Sequence, residues 1–137
     1  MNLIVCIDDK GGMMFNHRRQ SQDRELRRDI LALTGEKKLW VSPYTARQFR
    51  PEEQERLTVS DSFLTEAGAG EFCFAEEGPF APVREQLETL ILYKWNRHYP
   101  ADCRLDLDPE AEGLSLRETV EFPGFSHEKI TREVYCK

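Results

Sequence analysis

No stretch of this chain approaches the roughly 18 consecutive apolar residues that a membrane-spanning helix needs. Its start, Met1-Asn2-Leu3-Ile4-Val5-Cys6-Ile7, lacks the basic flank, longer apolar run and small-residue cleavage site of a signal peptide. It reads instead as a buried strand, with a cytoplasmic location expected. The four cysteines, Cys6, Cys73, Cys103 and Cys136, are widely scattered, without the close ligand pair that zinc sites carry. Cys6 and Cys73 lie in apolar runs and read as small buried hydrophobes, and Cys136 as the exposed one. Histidines number three, and no two have metal-ligand spacing, so no metal is expected. There is no G-x-G-x-x-G, no P-loop and no G-x-S-x-G elbow. Basic charge is short as well: the formal net charge of −6 argues against binding nucleic acid through its phosphates.

What remains is a chain of 137 residues, 39% hydrophobic and 32% charged, the balance of one soluble globular domain. Leu3–Ile7 is a continuous apolar run, as in a central strand covered on both faces. Asp8-Asp9-Lys10-Gly11-Gly12 follows as a turn, and Met13-Met14-Phe15 as an apolar patch within a loop. Ser21 is a candidate helix N-cap, with Asp23 and Glu25 in the first turn, where the helix dipole favours acids. Leu26, Ile30 and Leu33 give the helical stripe, and Gly35 the C-terminal cap.

Leu39-Trp40-Val41 is a second strand. Ser42-Pro43 then opens a short helix, expected to run through Phe49. Strands at Leu57–Val59 and Phe72–Ala75, a helix at Val83–Glu88 and a strand at Thr89–Tyr93 continue the alternation of a largely parallel α/β sheet. The tail differs. Cys103–Leu107, Leu114–Arg117 and Ile130–Tyr135 alternate or are β-rich around the turn Pro123-Gly124-Phe125-Ser126, which is antiparallel chemistry.

This order resembles dihydrofolate reductase over nearly the whole chain. Leu3-Ile4-Val5-Cys6-Ile7-Asp8 looks like the family's first strand, and Gly11-Gly12-Met13-Met14-Phe15-Asn16 takes the place of its mobile active-site loop. Leu39–Thr45 resembles the strand and turn that meet the cofactor's phosphates. Leu90–Trp95, through Asp102-Cys103-Arg104-Leu105, is similar to the late strand, and Ile130–Tyr135 to the closing one. The resemblance implies a mostly parallel central sheet with helices on both faces and antiparallel C-terminal strands, in one domain spanning residues 1–137.

The departures bear on function. Glu76-Glu77 stands where the family's Gly-Gly pair admits the cofactor pyrophosphate, so charge and bulk oppose that contact. Ser42-Pro43 replaces the expected Gly-Arg, leaving Thr45 as the matching phosphate ligand and Arg47 as a later cation. The family's pterin-binding acid corresponds to Glu25 or to Asp23, although both also suit the helix dipole. Arg18, Arg19, Arg24, Arg27 and Arg28 form a basic group fit for a phosphorylated or carboxylate ligand, or a face paired with Asp23, Glu25 and Asp29.

The candidate ligand-binding set is therefore Arg18, Arg19, Met14, Thr45, Arg47, Glu76 and Glu77, with Glu25 and Asp23 as candidate acids. The expected function is a divergent, non-reductase relative that binds a small anion, with no cofactor. The alternatives are an NADPH-dependent reductase with a remodelled pocket and an interaction domain docking through Met13-Met14-Phe15. Oligomeric state is left open.

Overall fold

The computed structural model describes Met1–Lys137. In chain order it contains β1 (Asn2–Ile7), β2 (Gly12–Phe15), β3 (Arg18–Arg19), α1 (Arg24–Thr34), β4 (Leu39–Val41), α2 (Pro43–Ala46) and β5 (Leu57–Val59). There follow α3 (Phe63–Glu66), β6 (Phe72–Phe74), β7 (Thr89–Lys94), β8 (Cys103–Arg104), β9 (Ser115–Phe122) and β10 (Ile130–Cys136). Pro51–Arg56 and Ala81–Gln86 are 3-10 turns.

Seven strands make one sheet in the order β5-β4-β6-β1-β7-β10-β9. The first five are mutually parallel, while β10 runs antiparallel to both β7 and β9. Because side chains alternate along a strand, β1 feeds two cores. Leu3, Val5 and Ile7 pack with Leu90, Leu92, Val83 and Leu87 on one face. Ile4 packs with Ile91, Tyr93, Leu26 and Ile30 of α1 on the other. Both faces are thus covered, which is why β1 reads as an unbroken apolar run. No helix is long and apolar enough to cross a membrane.

Four local expectations are corrected. Met13-Met14-Phe15 is a strand and not a loop: β2 pairs with β3 and β8 in a second small sheet. Asn16 and His17, with φ of 52° and 60°, form the two-residue connection between β2 and β3, a primed turn whose twist suits a hairpin. Met13 and Met14 are 4% and 3% exposed, so of the three only Phe15 remains for a docking surface. The cap of α1 is Asp23 and not Ser21, because the Asp23 carboxylate accepts from the Glu25 amide and Asp23 has extended backbone. The helix opened by Ser42 and Pro43 ends at Ala46, short of Phe49. The segment expected as a helix at Val83–Glu88 is the 3-10 turn Ala81–Gln86; Pro79 and Pro82 remove donors around its start.

Gly35 caps α1 as its sequence position implies, with φ of 56° and its amide donating to the Leu31 carbonyl.

Candidate functional site

The carboxyl ends of β1, β6 and β7 converge on a cleft beside α1, the place where open α/β sheets hold ligands. Its lining includes Cys6, Leu26, Phe74 and Trp95 on the apolar side and Arg19, Gln20, Ser21, Gln48 and Glu76 on the polar side. The space left between them is about 10 Å³, room for roughly one water molecule. Side chains of the chain itself fill the cleft.

Glu76 does most of this filling. It leaves the sheet just beyond β6 and turns its carboxylate inward, with its side chain 9% exposed. Arg19, delivered by β3, grips it with Nε at 2.7 Å from Oε1 and Nη2 at 3.0 Å from Oε2. That two-pronged contact is the strong form of an arginine–carboxylate pair. Thr45 Oγ1 donates to Oε2 at 3.0 Å, and Gln48 Nε2 donates to Oε1 at 3.0 Å. Thr45 and Gln48 are three residues apart, so both can reach the same spot from the α2 turn. Arg19 is itself braced: its guanidinium lies 4.3 Å from the Tyr44 ring centre and donates to the Tyr44 carbonyl. Burial lowers the Arg19 pKa, but Glu76 outweighs that effect and raises it overall.

Asp23 is held differently. Its fully buried carboxylate accepts from the main-chain amides of Glu25, Phe125 and Ser126 at 2.9 Å each. His127 Nδ1 lies 2.9 Å from Oδ2, and Ser126 Oγ donates at 3.2 Å. Burial alone would raise the Asp23 pKa; the bonds from His127 and the three amides hold it well below the ordinary aspartate value. Asp23 therefore joins the start of α1 to the β9–β10 turn. Gly124 lets that turn come close, since a Cβ there would lie 2.7 Å from Asp23 Oδ2. The far nitrogen of His127, Nε2, is 3.0 Å from both Ser21 Oγ and Tyr99 Oη, and Trp95 stacks on the ring at 4.5 Å.

No protein-family model matches the sequence, and no curated protein matches it. Among solved structures it is similar to dihydrofolate reductase from Enterococcus faecalis complexed with NADP(H) and RAB-propyl, with a TM-score of 0.67 and 12% identity. The match covers 98% of this chain and 94% of that one. The fold is that of dihydrofolate reductase. At such identity the likeness concerns the fold alone.

Within this fold the residues singled out from sequence separate into groups. Arg19, Thr45 and Glu76 meet in one cluster. Met14 lies buried beside it in β2, paired in register with Arg19. Arg18, Arg47 and Glu77 are exposed and take no part in the Glu76 cluster. Neither candidate acid lines the central cleft: Asp23 is saturated by its partners, and Glu25 pairs with Arg28 at 3.3 Å beside the Phe122–Phe125 turn. Arg24, Arg27 and Arg28 come together with Arg50 around an open hollow of about 230 Å³ that holds one acid, Glu53. Neither Arg24 nor Arg27 has a carboxylate within ion-pairing distance. Burial lowers the Arg27 pKa, Glu53 opposes that effect, and neighbouring Arg50 adds to it.

Gln48, Tyr44, Tyr99 and His127 escaped sequence reasoning. Only Gln48 carried a local signal, its spacing from Thr45. His127 lies 104 residues from Asp23, and no pattern in the chain links them. No group of three histidine, cysteine, aspartate or glutamate side chains is arranged to hold a metal ion.

Proposed function

We propose that this chain is a ligand-binding protein built on the dihydrofolate reductase fold that does not run NADPH-dependent reduction. The observation that carries this reading is the Glu76 carboxylate, bound at once by Arg19, Thr45 and Gln48. By the resemblance, a cofactor phosphate would be received at Thr45 and at the backbone of residues 76 and 77. Here a built-in anion takes the threonine hydroxyl and the nearest guanidinium. A dinucleotide does not fit these residues: its pyrophosphate would meet a like charge, in a cleft with space for about one water.

The ligand-facing cations lie instead on α1. Arg24 and Arg27, free of carboxylate partners, together with Arg28 and Arg50 form a solvent-open basic hollow suited to a small phosphorylated or carboxylate compound. The solved neighbour's complex with NADP(H) supports the alternative reading, a reductase with a remodelled pocket. That reading requires Glu76 to leave its seat.

Calorimetric titration separates the two readings. NADPH is expected to give no heat of binding with the wild-type protein, whereas inorganic pyrophosphate binds and loses at least about tenfold in affinity in the Arg24→Ala/Arg27→Ala variant. Micromolar NADPH binding would overturn the proposal, as would pyrophosphate binding untouched by the double substitution.

A further inference from the structure

We propose that Ser21, His127 and Asp23 form a nucleophile relay able to cleave carboxylic esters that carry a short acyl group. This activity is independent of the arginine hollow.

The geometry is that of an activated serine. His127 Nδ1 meets the ionised Asp23 at 2.9 Å, so the proton of a neutral imidazole belongs on Nδ1 and Nε2 is an acceptor shared by the hydroxyls of Ser21 and Tyr99. Ser21 Oγ lies 3.0 Å from Nε2, within the reach a general base needs. Asp23 acts as the positioning residue. Its three amide bonds and the Trp95 ring fix the imidazole orientation, the role of the acid in a serine–histidine–aspartate triad. Ser21 is half-buried rather than enclosed, so it can be reached from solvent.

Two further observations point to a reacting group beside Ser21. The main-chain amides of Ser21 and Gln22 donate to no acceptor in the protein. Amides of the nucleophile and of the residue after it are the donors that stabilise the oxyanion in acyl transfer. Gln20 Oε1 is buried without a hydrogen-bond partner and Gln20 lines the same cleft. Its amide nitrogen is committed to Asp8 and to the Pro100 carbonyl, so the oxygen can accept from a reacting water.

The chemistry balances without a cofactor. Ser21 Oγ bonds to the ester carbonyl carbon as its proton passes to His127 Nε2. The C–O bond to the leaving group then breaks, and the alkoxide takes that proton and departs as the alcohol. Water, deprotonated by the same Nε2, attacks the acyl-serine and releases the acid, returning the proton to Ser21. Ser21 shares its cleft with Met13, Leu26 and Trp95, and the space there is about 10 Å³ in all, which limits the acyl group to formyl or acetyl.

The test uses p-nitrophenyl acetate and a fluorophosphonate with the full chain. The expected result is an acetyl or phosphonyl group on the Ser21 peptide by mass spectrometry. Turnover should fall at least about 100-fold in Ser21→Ala. Ser21 contributes nothing to either core, so that variant folds, as its melting curve will show. Label on a cysteine or lysine, turnover undiminished in Ser21→Ala, or no label at all would overturn the proposal.

Discussion

Two carboxylates are withdrawn from water, and they are satisfied by opposite means. Asp23 is held chiefly by main-chain amides of α1 and of the β9–β10 turn, with His127 as its only ionisable partner. Glu76 is held entirely by side chains, those of Arg19, Thr45 and Gln48. Main-chain partners arrive with the fold itself, so Asp23 is part of how the hairpin is fastened to the helix. Side-chain partners do not depend on Glu76 for their own place in the fold, and the reading proposed above treats them as a receptor for an anion. The first arrangement is built to position; the second, in that reading, is a binding site whose occupant is covalently attached.

Asp23→Ala tests the first half of that contrast and should have the largest effect. It strips a helix cap and leaves the part-buried amides of Glu25, Phe125 and Ser126 and the buried His127 without their partner, a loss of about 3–5 kcal/mol measurable by urea unfolding. Glu76→Ala strands the half-buried Arg19 guanidinium, at a cost of about 2–4 kcal/mol. That loss should be smaller because Arg19 keeps Tyr44 and gains water.

Acid provides a gentler version of the first experiment. The folded pKa of Asp23 lies below its unfolded value of about 3.9, and Asp8 is shifted in the same direction. Their contribution is fully present above about pH 4 and is lost as pH falls through the folded pKa values. In Asp23→Asn this acid limb should be shallower. The smallest effect is expected for Arg28→Ala. Its exposed pair with Glu25 is worth no more than about 0.5 kcal/mol, so a thermal melt should barely move.

The same contrast explains what could be read from the chain. The parallel strands, the Gly35 cap and the Ser42-Pro43 helix start were legible because each rests on neighbours within a few residues. Glu76 was legible as an anomaly, a charge where a phosphate-receiving turn would sit, but not as a filled site. Arg19 lies 57 residues away, and nothing local marks it as a partner. Met13 and Met14 looked like loop residues because β2 has only four residues and its partners β3 and β8 have two each. Strands that short carry no periodicity. Ser21 looked like a cap because it precedes an acidic first turn; the true cap, Asp23, was visible but had been placed inside the helix. The Asp23–His127 contact joins the two ends of the chain through tertiary structure alone, beyond the reach of any local pattern.

The central claim is that Glu76 occupies a seat an external anion would otherwise take. The direct measurement is the melting temperature of wild type and Glu76→Gly across a titration of inorganic pyrophosphate, read in the Arg24→Ala/Arg27→Ala background to silence the outer hollow. An anion that binds only the folded state must raise the melting temperature as its concentration exceeds Kd. The expected result is a rise in the glycine variant and none with Glu76 in place. Equal stabilisation of both proteins, or of neither, would contradict the account.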